Sequence, residues 1–231
     1  FIHSFTINRV FDCYHVIKLL GVVSATTPCL VVMEMMLNGD LLSFIRRYRR
    51  NDSSHNDDDD DELLLGMAAE IADGMAYLGH KHYIHRDLAA RNCLVDHNLV
   101  VKISAFHSVE EAMPVRWMAP EVLRRPGFNV ESDVWSFGVV LWEMMSRGLR
   151  PYMSLSNEKV IPFVGGGGRL VIDSNWPPIA KEIMVSCWHE RPSQRISFKE
   201  IVENLTNYVK PHFLNKSFCY GEYYHNSSSS R

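Results

Sequence analysis

His85-Arg86-Asp87-Leu88-Ala89-Ala90-Arg91-Asn92 is the stretch on which the reading of this 231-residue chain turns. It sets a carboxylate (Asp87), a fixed cation one helical turn later (Arg91) and a carboxamide oxygen (Asn92) on one short loop. Just upstream, Leu64, Met67, Ala68, Ile71, Met75 and Leu78 recur every three or four residues, which predicts a long helix with one buried face leading into the loop. Moving a phosphate onto a hydroxyl requires an acceptor for the hydroxyl proton, positive charge beside the moving group and oxygen ligands for a divalent cation. The loop offers one residue type for each.

Working outward, Leu99 to Ile103 reads as a short strand, and Asp133 to Met145 is apolar nearly all round, so it is predicted to be a central buried helix. Further helices are predicted from Ser156 to Phe163, Pro178 to Trp188 and Ser197 to Val209. Upstream, Ile2 to Val10 has helical spacing. Val16 to Val23 and Leu30 to Met33 read as two strands, and Asp40 to Tyr48 as a short helix. Asn51 to Glu62 ends in five consecutive Asp residues, whose mutual repulsion predicts a solvated, disordered insert. Gly165 to Gly168 follows a helical pattern and lacks a trailing Lys-Ser/Thr, so it reads as a flexible linker rather than a phosphate cradle. His80, His82 and His85 have no Cys or carboxylate at ligand spacing and are not read as a zinc site.

Composition narrows the class. A net charge of −3 with dispersed Lys and Arg gives no field for nucleic acid. Five cysteines without metal or disulfide spacing suit a reducing compartment. The apolar runs Leu30 to Met36 and Val134 to Met145 are broken by polar residues, so no membrane span is expected. The chain opens at Phe1 without an initiator Met and is expected to be a fragment or processed form.

The eight-residue loop resembles the catalytic loop of protein tyrosine kinases, the Leu-Ala-Ala-Arg order being the tyrosine-specific form. From Phe11 to about Leu205 the chain is similar to the insulin-receptor-like branch of receptor tyrosine kinases, most closely over Phe11-Asp12-Cys13-Tyr14-His15-Val16-Ile17-Lys18-Leu19-Leu20-Gly21-Val22-Val23-Ser24. The resemblance implies an α+β, protein-kinase-like fold. It would consist mainly of the helical C-lobe (37–209) with a remnant of the small β-lobe and hinge (1–36, helix C and strands 4 and 5), then a flexible tail (210–231).

It implies ATP and Mg²⁺ as cofactors. Met33 would be the gatekeeper, the Glu34 and Met36 backbones would face the adenine edge, Asp40 would reach the ribose and Leu94 would pack under the base. Asp87 would accept the substrate tyrosine's proton, Arg91 would steady phosphate or phenol oxygen, and Asn92 would hold one Mg²⁺. Pro114-Val115-Arg116-Trp117-Met118 resembles the shelf for the substrate main chain. Glu121 is expected to pair with Arg195, such that reversing both charges restores folding, and Asp133 to accept hydrogen bonds from the catalytic-loop backbone.

Four departures from the family follow. These residues include no glycine-rich loop and no strand-3 lysine, and Ser4 falls where helix C carries its glutamate. Where the family has Asp-Phe-Gly, this chain has Ala105-Phe106-His107, and a methyl group cannot ligate Mg²⁺. The segment from Ala105 to Glu121 is short and has no tyrosine, so Arg86 is expected to meet Glu110 or Glu111 instead of a phosphate. Tyr220, Tyr223 and Tyr224 read as ordinary exposed tail tyrosines rather than docking sites. The sequence therefore points to a catalytically impaired kinase-homology or pseudokinase segment, cytoplasmic in placement. Its partners would be a tyrosine-containing substrate or an active kinase, with no nucleic acid. A truncated form of a working receptor tyrosine kinase is the alternative.

Overall fold

The computed structural model describes residues 11–23, 30–51, 57–105, 113–125 and 127–221. The Ile2 to Val10 helix, Ser4, Phe106 to Ala112 and Tyr223-Tyr224 lie outside the described residues, and with them the expected contact of Arg86 with Glu110 or Glu111.

The architecture is α+β, as the sequence implies. Leu19–Val23 (β1) and Leu30–Met33 (β2) form an antiparallel pair, with Gly21 opposite Val32 and Val23 opposite Leu30. Gly39–Asp40 (β3), Cys93–Val95 (β4) and Val101–Ile103 (β5) form a second antiparallel sheet in that order. The Ile17 N–H donates to the Ile103 carbonyl (2.9 Å) and the Ile103 N–H to the His15 carbonyl (2.9 Å), which ties the stretch before β1 to β5.

Eight α-helices among the described residues carry the core: Leu41–Asn51 (α1), Asp57–His80 (α2), Pro120–Arg124 (α3), Val130–Met145 (α4), Asn157–Gly165 (α5), Pro178–Cys187 (α6), Phe198–Asn204 (α7) and Phe213–Lys216 (α8). Every residue of the α2 apolar stripe is buried. In α4 each residue from Ser132 to Met145 is buried, and Asn129 and Ser132 close a reciprocal cap at its start. A β-carbon on Gly138 would lie 2.6 Å from Trp188 Nε1 and 2.7 Å from Cys187 Cβ, so glycine is what lets α6 press against α4.

Three expectations need correction. The Asp run is not a loop, because Asp57 to Asp61 form the first turns of α2, where the positive end of the helix dipole favours carboxylates. Asp61 also reaches Arg147 Nη2 at 2.7 Å. The helix predicted over Ser197 to Val209 stops at Asn204 and passes into a short 3₁₀ turn, Thr206–Tyr208. Finally, 210–221 is packed rather than free, with Phe213 and Ser217 buried and the Tyr220 hydroxyl 2.7 Å from Thr206 Oγ1.

Asp73, in the middle of α2, explains that packing. Its carboxylate accepts the Ser217 hydroxyl (2.5 Å), the backbone N–H of Phe218 (2.9 Å) and of Cys219 (2.9 Å), and meets His15 Nδ1 (2.7 Å). Burial pushes the Asp73 carboxyl up, but His15 and these donors outweigh it and hold the group below the usual range. One buried carboxylate thus clips both the stretch before β1 and the stretch after α8 onto the same helix.

Candidate active site

The loop 85–92 leaves α2 and is held from below by α4. Asp133 accepts the backbone N–H of His85 (2.8 Å) and of Arg86 (3.0 Å), as the resemblance implied. Arg86 takes a left-handed backbone (φ 71°), a conformation that costs energy for a side chain of its size and persists because Asp133 fixes both amides. Burial raises the Asp133 carboxyl to about 7 against the pull of these two hydrogen bonds. The His85 ring is fully buried. Its Nε2 lies 3.1 Å from the Ser104 carbonyl and its Nδ1 3.4 Å from the Asp87 N–H, which fits the neutral tautomer with the proton on Nε2.

Asp87, Arg91 and Asn92 are brought together. Arg91 Nη2 donates to Asp87 Oδ1 (2.5 Å), and the Asn92 amide donates to Asp87 Oδ2 (2.8 Å) and to its carbonyl (2.7 Å). The Arg91 guanidinium sits 4.5 Å from the centre of the Trp117 ring. Behind them, Glu143 of α4 accepts both the Ala90 N–H (3.0 Å) and the Trp117 indole N–H (2.9 Å) on Oε2. Burial raises the Glu143 carboxyl to about 7.

The residues assigned to the nucleotide's base and ribose sit along β2, β3 and β4. Asp40 and Leu94 face each other in register across β3 and β4, and Asp40 Oδ1 caps α1 through the Ser43 N–H (2.8 Å). Glu34 accepts the Lys18 N–H (2.7 Å) and the Lys102 ammonium (2.7 Å), and its own N–H donates to the Lys18 carbonyl (3.1 Å). Met33 and Met36 flank it at the partly exposed end of β2, and the Met36 carbonyl accepts the Gly39 N–H (3.1 Å).

On the metal side, the Ser104 N–H donates to the Asn92 carbonyl (2.9 Å), which sets Ala105 beside the loop. Ala105 is 3% exposed and its carbonyl accepts the Tyr83 hydroxyl (3.0 Å), so the side chain at this position brings only a methyl group. Among the described residues no group of three or more His, Cys, Asp or Glu side chains is arranged to hold a metal ion. Position 105 therefore offers no side-chain oxygen to a cation.

Arg116 ties the shelf down. Its side chain is buried, and among the described residues its hydrogen-bond set has no carboxylate. It donates instead to the carbonyls of Pro151 (2.8 Å), Tyr152 (2.8 Å) and Leu155 (2.6 Å) and to Asn157 Oδ1 (2.9 Å). Glu121 and Arg195 form the expected pair, bidentate at 2.6 and 2.8 Å. The sequence names Arg116 only as part of the shelf and offers no role for Glu143. The signal for Glu143 was there, since a lone carboxylate in an apolar helix must find donors.

Helical lobe, hinge sheet and loop together define a protein kinase domain. Residues 1–205 match the family described as "Protein tyrosine and serine/threonine kinase", and the chain belongs to that family, whose members in general use ATP and Mg²⁺ and act on proteins. It is 43% identical over 237 aligned positions to the insulin receptor of Xenopus laevis, which covers 96% of this chain and 17% of that protein. A putative molluscan insulin-related peptide(s) receptor of Lymnaea stagnalis is 43% identical over 234 positions, covering 95% of this chain and 15% of that protein. The insulin-like growth factor 1 receptor of Bos taurus is 42% identical over 237 positions, covering 96% of this chain and 37% of that protein. The chain therefore spans about a sixth of the length of the first two of these relatives.

Proposed function

We propose that this chain is the cytoplasmic kinase region of an insulin-receptor-type receptor and that it keeps the tyrosine-receiving half of the site while failing to transfer phosphate. Asp87 is the acceptor for a tyrosine's hydroxyl proton, Arg91 the cation beside the phenol oxygen, and Asn92 a metal-side ligand. Met33, Glu34, Met36, Asp40 and Leu94 border the place of a nucleotide. Partners are tyrosine-bearing proteins or an active kinase. The observation that carries the reading is Ala105, buried next to Asn92 with its carbonyl already engaged by Tyr83. Losing one preorganised charge contact in an active site costs on the order of 10²- to 10³-fold in rate.

The test is incubation of the purified chain with radiolabelled ATP, Mg²⁺ and a tyrosine peptide, beside a thermal-shift titration with ATP and Mg²⁺. The expected results are no label above background and no metal-dependent rise in Tm. Label transfer that disappears in Asp87→Asn would overturn the reading. It would instead support an active protein tyrosine kinase, the alternative favoured by the closed Asp87–Arg91–Asn92 geometry.

A further inference from the structure

Glu143 is 1% exposed and lies in the apolar run Val139 to Met145 of α4, where an unsatisfied carboxylate would be costly. Its Oε2 accepts two donors from different parts of the chain, the Ala90 N–H at 3.0 Å and the Trp117 indole N–H at 2.9 Å. Ala90 is the residue immediately before Arg91, and Trp117 is the ring on which the Arg91 guanidinium rests at 4.5 Å. Arg91 in turn donates to Asp87. The loop's main anchor is already Asp133, so Glu143 is not needed merely to hold the loop to α4. What it adds is a fixed relation between loop and shelf. The indole nitrogen and the Ala90 N–H are pinned to the same oxygen, and the guanidinium rests on that indole while donating to Asp87.

We propose that Glu143 is a positioning residue for the tyrosine-receiving face, aligning Trp117 and Ala90 on one oxygen so that Arg91 is held over the indole and aimed at Asp87. The inference rests on the reading above, that this face receives a tyrosine side chain. Geometry rather than charge is the working property, because a carboxamide oxygen can accept the same two N–H groups.

Three variants of the full chain test it, with two readouts: the Trp117 indole ¹H–¹⁵N resonance, and the Kd of a fluorescent tyrosine peptide by anisotropy. Glu143→Gln should keep the resonance near its position and the Kd within about twofold, whereas Glu143→Ala should shift the resonance and weaken the peptide by about tenfold, the scale of one lost hydrogen bond. Trp117→Phe keeps a ring under Arg91 and the Glu143–Ala90 bond but removes the indole N–H. It should weaken the peptide severalfold, and it decides the matter if Glu143→Ala does not fold. Equal damage from Gln and Ala, or an undisturbed Kd in both Glu143→Ala and Trp117→Phe, would overturn the proposal. If the unaltered chain binds no tyrosine peptide, the functional reading fails. The resonance difference between Gln and Ala then still decides whether Glu143 orients Trp117.

Discussion

Arg195→Ala should cost about 3 to 5 kcal/mol, the range for removing one partner of a buried ion pair. The side chain of Arg195 is fully buried and that of Glu121 is 27% exposed, so the charge left behind in this variant is the better solvated of the two. Taken alone, that places the loss at the lower end. Three further contacts push it up, because Arg195 also donates to the carbonyls of Glu131 (2.9 Å) and His189 (3.0 Å), and its guanidinium lies 5.1 Å from the Trp135 ring centre. Glu121→Gln keeps an oxygen acceptor and both carbonyls for the arginine but leaves its fully buried charge unneutralised, so it should cost a comparable amount, roughly 3 kcal/mol. For a domain of this size Tm falls by about 2 to 4 °C per kcal/mol, so both losses should be readable by calorimetry.

The double reversal, Glu121→Arg with Arg195→Glu, is the discriminating case. Sequence reasoning expects it to restore folding. The structure limits the recovery, because a glutamate at 195 has nothing to donate to the two carbonyls. We expect stability between that of the single reversals and that of the unaltered chain. Full recovery would show that the carbonyl contacts contribute nothing, and no gain over either single reversal would show that the ion pair itself does not couple the two residues.

Glu70 offers a pH test. Burial raises its carboxyl from 4.5 to about 8, with the Val101 N–H pulling the other way. Between those values the folded chain holds this proton more tightly than the unfolded chain, so the group's contribution is full below its unfolded pKa and is lost as pH rises through about 8. Urea unfolding at several pH values should show stability falling across that window, and Glu70→Gln should flatten the fall by on the order of a few kcal/mol; an unchanged slope would refute it. Asp73→Asn should release the stretch around Ser217 to Cys219, because an amide cannot accept from all of the donors gathered there. Faster hydrogen exchange and proteolysis confined to that stretch and to the residues near His15 are expected, and protection equal to that of the unaltered chain would contradict the clip.

The parts of the molecule legible in the sequence were those encoded locally. Asp87, Arg91 and Asn92 lie within six residues, so their convergence follows from one turn of backbone. The stripe Leu64 to Leu78 gave α2 because a 3.6-residue period leaves little alternative. Like-charge repulsion alone predicts a solvated loop for the Asp run, and the helix that follows overrides it. Once α2 forms, its N-terminal dipole and Arg147 reward the same carboxylates. The Asp73 clip was invisible for a different reason: its donors lie 58 residues upstream at His15–Asp73 spacing and 144 residues downstream at Ser217. Glu143 stood out only as a break in an apolar run, and its partners are set by how α4 crosses beneath the loop.

Glu34 and Lys102 have a mechanical consequence. The carboxylate of Glu34 grips the ammonium of Lys102 while also holding the Lys18 amide, and Lys102 lies three residues before Ala105 on the strand paired with Leu94. The segment after β2 and the strand leading to Ala105 are therefore strutted together. Removing the Glu34 carboxylate would release the Lys102 ammonium and the Lys18 amide together, so the segment after β2 and the strand before Ala105 would loosen as one unit.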